Sequence, residues 1–155
     1  MSAKQPNSRH CFVCGVENPI GLHLKFYETA PGEVTADLNL PNIYQGYPGI
    51  VHGGVIAAML DEAAGRAHMG PVDAPRFMFT ARLDIRYRKN VPVGQPLRLV
   101  GKAGPTKART AEASSAIYDL EGTLLADAVV LLVNVPERMI QTTDLAALGW
   151  QVYPD

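Results

Sequence analysis

The strongest constraint in this sequence is a change of hydrophobic period that happens once. From about Gly53 to about Ala67 the apolar residues Ile56, Met59, Leu60, Ala63 and Ala67 recur three and four apart, the spacing of one face of an α-helix. Most of the remaining strand-like segments alternate apolar and polar residues, the period of a half-buried strand, while 123–135 is a long apolar run suited to a central buried strand. Leu22, Leu24 and Phe26 oppose His23, Lys25 and Tyr27 over residues 20–28. Val34, Ala36 and Leu38 continue the pattern over 33–40 after the turn at Thr29-Ala30-Pro31-Gly32, so a hairpin is predicted. Residues 41–51 contain Pro41, Gly46, Pro48 and Gly49 and read as a loop, and Gly70-Pro71 stops the helix. Strands are predicted over 77–90, 96–103, 109–119 and 123–135, with a short helical turn near Leu145 and Leu148.

One helix among about six mostly antiparallel strands implies an α+β domain whose sheet wraps the helix. Residues 1–19 read as an irregular arm and 20–155 as a single domain, with no internal repeat or linker. A sheet covered by one helix leaves edges exposed, so at least a homodimer is expected.

Composition narrows the classes of function. A hydrophobic fraction of 47% with 19% charged residues excludes a disordered chain. The formal net charge of −1 supplies no global field for nucleic acid, so a polyanionic ligand has to be met by local basic clusters. No apolar run reaches the ~18–20 residues of a membrane span. Met1-Ser-Ala-Lys-Gln-Pro6 lacks an apolar signal core, so the cytoplasm is the expected location.

The only cysteines, Cys11 and Cys14, form a C-x-x-C pair, a spacing found in metal half-sites and redox pairs. His10 and His23 are near in sequence and would complete a four-ligand zinc set. Without a second paired ligand couple, or a strand before the motif, the favoured reading is a tight N-terminal turn closed by Gly15, with no metal.

The chemistry concentrates at the loop-to-helix junction, Val51-His52-Gly53-Gly54-Val55 through Asp61-Glu62-Ala63-Ala64-Gly65. Two glycines at a helix start cost about 1 kcal/mol each against alanine. They suit a place where backbone meets a ligand, because the first N–H groups of a helix have no intrahelical partner and lie at the positive end of its dipole. Asp61 falls off the apolar stripe, and its helical neighbours Ala57, Ala58, Ala64 and Gly65 are all small. Such a carboxylate leaves room for another group to approach. Glu62, turned about 100° away, is the competing carboxylate.

His52-Gly-Gly followed nine residues later by Asp61-Glu-Ala resembles the signature of the hotdog-fold acyl-CoA thioesterases, of the phenylacetate-degradation and thioesterase-superfamily-member type. Cys11-Phe-Val-Cys14-Gly15 with Asn18-Pro-Ile-Gly21-Leu resembles the N-terminal segment of one subgroup, and Thr80 through Gly94 the strand after the helix. The resemblance covers residues 11 to about 135. It implies a hotdog fold and hydrolysis of an acyl-CoA thioester without metal or organic cofactor. By motif position, Asp61 would be the nucleophile or the general base, and the Gly53 N–H, with Gly54, would polarise the carbonyl. His52 would shape the site, and Thr80 would position the water or the carboxylate from a partner subunit. Relatives carry an amide side chain where this sequence has Gly46, and Gln45 is the nearest substitute. Arg82, Arg86 and Arg88 share a strand face next to Lys89, and as a group are candidates for the phosphates of coenzyme A.

Two other classes remain open. A hotdog hydratase would need His-x-Asn-Pro, which is absent. A non-catalytic acyl-CoA sensor would keep the fold, but no DNA-binding helix-turn-helix is visible and Asp61 is retained. The expected assembly is a homodimer or a dimer of dimers.

Overall fold

The computed structural model describes residues 1–155. Its elements run β1 (Ala3–Lys4), β2 (Tyr27–Ala30), β3 (Glu33–Leu38), α1 (Gly53–Ala67), β4 (Met78–Tyr87), β5 (Leu97–Thr106), β6 (Thr110–Asp119), β7 (Leu124–Asn134) and α2 (Glu137–Thr142). All seven strands join one sheet in the order β1-β2-β3-β5-β6-β7-β4, and every neighbouring pair is antiparallel. Helix α1 follows β3 near one end of that order and leads into β4 at the other edge. It therefore lies across the concave face as the chain crosses the sheet.

The expected α+β layout, a sheet around one helix, is what forms. The helix has 15 residues, about 22 Å at 1.5 Å per residue. Its buried stripe contains all five residues of the helical period, Ile56, Met59, Leu60, Ala63 and Ala67. They meet alternating side chains of the sheet, including Val34, Ala36, Leu97, Leu99, Ile117, Val130 and Leu132, in one continuous core. Each large aliphatic side chain withdrawn from water contributes roughly 1.5–3 kcal/mol before entropy is subtracted. Gly101 on β5 sets how closely helix and sheet approach, because a Cβ there would collide with the Ala63 carbonyl. On β6, Ser115 donates its hydroxyl to the Leu60 carbonyl at 2.7 Å, so its buried oxygen has a partner.

Three parts of the N- and C-terminal sequence differ from expectation. Residues 20–26 do not form a strand, although Leu22, Leu24 and Phe26 are buried as their alternation implied. Their partner is the chain just before them: Leu22 N–H bonds the Phe12 carbonyl and Leu24 N–H the Val13 carbonyl. The arm is also tied in more firmly than its composition suggested. β1 pairs with β2, and the buried Asn7 donates to the carbonyls of Cys14 at 2.6 Å and Leu24 at 2.9 Å. At the other end, α2 forms over Glu137–Thr142 without a clear signal in the sequence, whereas the expected turn at 145–148 is present.

Candidate active site

Helix α1 starts with a side-chain cap. His52 accepts the Gly54 N–H on Nδ1 at 2.9 Å, while its carbonyl accepts the N–H groups of Val55 and Ile56. Gly54 is therefore occupied, and of the two glycines expected to polarise a substrate, only Gly53 keeps an N–H without an acceptor in the chain. Tyr87, at the end of β4, donates its hydroxyl to the Gly53 carbonyl at 2.8 Å and pins the helix start to the sheet edge. The sequence did not single out Tyr87, since its role depends on where β4 ends relative to α1.

Gly46 is explained by the same region. A Cβ there would sit 3.2 Å from the Cα and Cδ2 of His52, a tight contact that the capping residue would have to yield to by a few tenths of an ångström. The Gln45 side chain, the expected substitute for the missing amide, is engaged within its own loop, where its Oε1 accepts the Gly49 N–H at 3.1 Å.

Asp61 and Thr80 are brought together. The Thr80 hydroxyl donates to Asp61 Oδ1, and both residues belong to the same chain, so the expectation that Thr80 arrives from a partner subunit is corrected. Both line a cavity of about 190 Å³ together with Gly65, Met69, Phe77, Met78 and Leu132. Gly65 belongs to the small neighbours noted around Asp61, and its missing side chain helps to keep the cavity open. Burial pushes the Asp61 carboxyl above its ordinary range, and the nearby charge of Glu62 adds to this, while the Thr80 hydrogen bond works against it. A partly desolvated carboxylate with a hydroxyl fixing one oxygen, at the rim of a cavity, is equipped to take a proton from water or to attack a carbonyl carbon.

Glu62 lines the same cavity but points to the N-terminal arm. Arg66, one turn later, donates from Nε to Glu62 Oε1 at 2.8 Å and from Nη1 to the Pro6 carbonyl at 2.9 Å. The Arg66 side chain is 1% exposed and stacks over Phe26 at 4.5 Å. Cys11 and Cys14 occupy the expected tight turn, with Gly15 N–H bonded to the Cys11 carbonyl at 2.8 Å. The neighbouring histidines do not join them. His10 is exposed, and His23 is engaged at the Asn18 carbonyl. The Cys14 thiol is drawn down to about 6, first by a hydrogen bond from Cys11 and against the effect of burial; that same bond, then burial, pushes Cys11 up.

The basic residues lie on the outer surface. Arg82 pairs with Asp84 at 2.9 Å, and Arg88 with Asp127 through Nε at 2.5 Å. Lys89 is exposed and forms no ion pair within 4.0 Å. Arg88 and Lys89 follow Tyr87 directly and so sit at the helix-start end of β4, whereas Arg82 lies further along the strand.

Residues 48–126, just over half the chain and all of the helix and β4, match the family model of the thioesterase superfamily. This chain belongs to the thioesterase superfamily. A solved thioesterase superfamily protein is 32% identical, with a TM-score of 0.75 over 81% of this chain; the chain spans 61% of that protein's length. The structure of a hypothetical thioesterase with coenzyme A from Streptococcus pneumoniae gives a TM-score of 0.65 at 19% identity, covering 72% of this chain and 88% of that one. The E. coli PaaI protein from the phenylacetic acid degradation operon gives 0.66 at 12% identity, covering 74% and 81%. At such identities these two show the fold alone, and the fold is the hotdog fold. No curated protein matches the sequence. No helix is long and apolar enough to cross a membrane.

Proposed function

We propose that this thioesterase-superfamily chain hydrolyses an acyl-CoA thioester to a carboxylic acid and free coenzyme A. The observation that carries the proposal is Asp61, held by Thr80 at the rim of a cavity, on the helix whose first N–H is unoccupied. Gly53 and Asp61 of one chain lie eight residues apart on α1, about 12 Å at 1.5 Å per residue. The thioester carbonyl oxygen beside Asp61 would therefore accept the Gly53 N–H of the second copy in a homodimer, which stabilises the charge that develops there. Asp61 takes a proton from water, the water oxygen bonds to the carbonyl carbon, and the C–S bond breaks with its electron pair on sulfur. The leaving thiolate regains the proton from Asp61. In the covalent variant Asp61 itself attacks, and water then opens the anhydride. His52 acts indirectly, by capping the helix and so aiming Gly53.

Coenzyme A would lie with its phosphates toward the end of β4, where Arg88 and Lys89 are closest in the chain to the helix start; Arg82 is the least favoured of the basic candidates because it lies further from that end. The S. pneumoniae relative was solved with coenzyme A, which supports this ligand class here. We also infer that the chain works as a homodimer or a dimer of dimers in the cytoplasm, without nucleic acid, membrane or organic cofactor.

The test is thiol release from short, medium, long and aryl acyl-CoAs by wild type and Asp61→Asn. Hydrolysis of at least one class, lost in Asp61→Asn with the fold intact by circular dichroism, supports the reading. Full activity in Asp61→Asn would sink it. Tight acyl-CoA binding without turnover of any class would point to a sensor instead.

A further inference from the structure

We propose that Cys11, Cys14 and Glu62 bind a thiophilic divalent cation, zinc by preference, in the wall of the Asp61 cavity. Their two sulfurs and one carboxylate oxygen all lie within 4.8 Å of one another, though Glu62 is far from the cysteines in sequence. A tetrahedral zinc with bonds of about 2.3 Å to sulfur and 2.1 Å to oxygen needs its donors roughly 3.5–3.8 Å apart. Closing the remaining gap of about an ångström requires the three donor side chains to turn inward toward the ion. The tight turn makes the pair a chelate. A Cβ on Gly15 would strike the backbone of Cys11 and Arg9, so the glycine lets the chain fold back and bring the cysteines together.

The surroundings fit a bound cation. Arg66 holds Oε1 of Glu62 and leaves the other oxygen free, the arrangement of a ligand fixed by an outer partner. Two thiolates and a carboxylate carry three negative charges against the single positive charge of Arg66, and a divalent cation closes the balance at this half-buried site. Arg66 Nη2 is also buried with no acceptor, and metal-bound sulfur in place of a neutral thiol would supply one. The fourth coordination position faces the cavity, where the Ser8 hydroxyl lies 3.8 Å from Cys14 Sγ and water can enter. A disulfide would account for the two cysteines but leave Glu62 turned toward neutral sulfur, whereas a cation uses all three donors. Bound there, the ion would tie the arm to α1 one residue beyond Asp61.

The experiment uses the full chain, purified under reductant and titrated with Zn²⁺ and Co²⁺. We expect one metal per chain by elemental analysis, a thiolate-to-cobalt charge-transfer band, and protection of both thiols from alkylation by zinc. Cys11→Ser and Cys14→Ser lose the band. Glu62→Gln keeps it but binds at least about tenfold more weakly, and this variant carries the test if the cysteine variants fail to fold. Uptake unchanged in the cysteine variants would overturn the proposal. So would wild type whose free thiols give no cobalt band, or a Cys11–Cys14 disulfide in protein that refuses metal.

Discussion

Thr80 donates its hydroxyl to Asp61 across the gap between the edge strand β4 and the central helix, within a single chain. The pair ties the candidate catalytic carboxylate to an element that otherwise contacts the helix sparsely. A hydrogen bond to a charged acceptor contributes roughly 1.5–3 kcal/mol when its loss leaves that group unpaired. Thr80→Val should therefore lower kcat by about tenfold or more, with KM little changed, while Thr80→Ser keeps most of the activity. Asp61→Asn should cost roughly 10²–10⁴-fold, the range for a lost general base. Steady-state kinetics on one responsive acyl-CoA decides the matter. Equal losses in the Ser and Val variants would mean that Thr80 acts through packing.

The helix start makes a separate prediction. His52→Ala removes the cap on Gly54 N–H and should destabilise the protein by about 1 kcal/mol. Tyr87→Phe removes the bond to the Gly53 carbonyl and should cost a similar amount. Both variants should also lose activity beyond what the stability change explains, since each allows the Gly53 N–H to swing. Urea melts alongside kinetics separate the two effects.

Arg66 is the most buried charge, and removing it should be the most damaging of these substitutions. Arg66→Met strands the Glu62 carboxylate and the polar groups of Gln5 and Pro6, at a cost of about 3–5 kcal/mol. Arg66→Lys should not rescue, because an ammonium lacks the fork that reaches Glu62 and Pro6 together. In Arg66→Met with Glu62→Gln, part of the loss should return, and the double-mutant cycle measures how much. Full additivity would show that the pair is uncoupled.

What was legible in the sequence is what periodicity encodes. The single stretch of helical spacing fixed α1 and put Asp61 off its buried stripe, beside small residues. Alternation reported burial faithfully over residues 20–26 but not strand pairing, because Leu22 and Leu24 turn inward while their backbone bonds to the arm. Arg66 was invisible: an arginine on a helix is normally solvated, and the residues that bury it, Phe26, Trp150 and the backbone of Pro6, come from both ends of the chain. The meeting of Thr80 with Asp61 depends on how far β4 slides along β7, a register no local pattern states.

Acid stability should depend on Asp127 in a defined direction. The Arg88 guanidinium holds its carboxyl below the usual range, so the folded value lies under the unfolded one. The pair's contribution is therefore complete above the unfolded carboxylate value and is lost as pH falls through the lowered one. Both side chains are partly exposed, at 43% and 29%, so solvent screening keeps the contribution small. Asp127→Asn should lower Tm at neutral pH, less so in high salt, and match wild type in strong acid. A difference that widens as pH falls would have the wrong sign.

The last prediction concerns the free edge of the sheet. β4 bonds to β7 on one side only, ends the strand order, and runs for ten residues with Phe79 and Tyr87 exposed at 45% and 55%. A long edge with apolar side chains and no covering element is a template for a second strand, and self-association is the way a protein closes it. Light scattering should therefore give at least twice the 16.7 kDa chain mass. Phe79→Lys, which puts a charge on that edge, should shift the mass toward the monomer. Because Phe79 precedes Thr80, dissociation should also loosen the hold on Asp61, so the variant's specific activity should fall on dilution at concentrations where wild type stays assembled. A monomeric wild type would overturn the expected self-association, and a Phe79→Lys oligomer as stable as wild type would place the contact elsewhere.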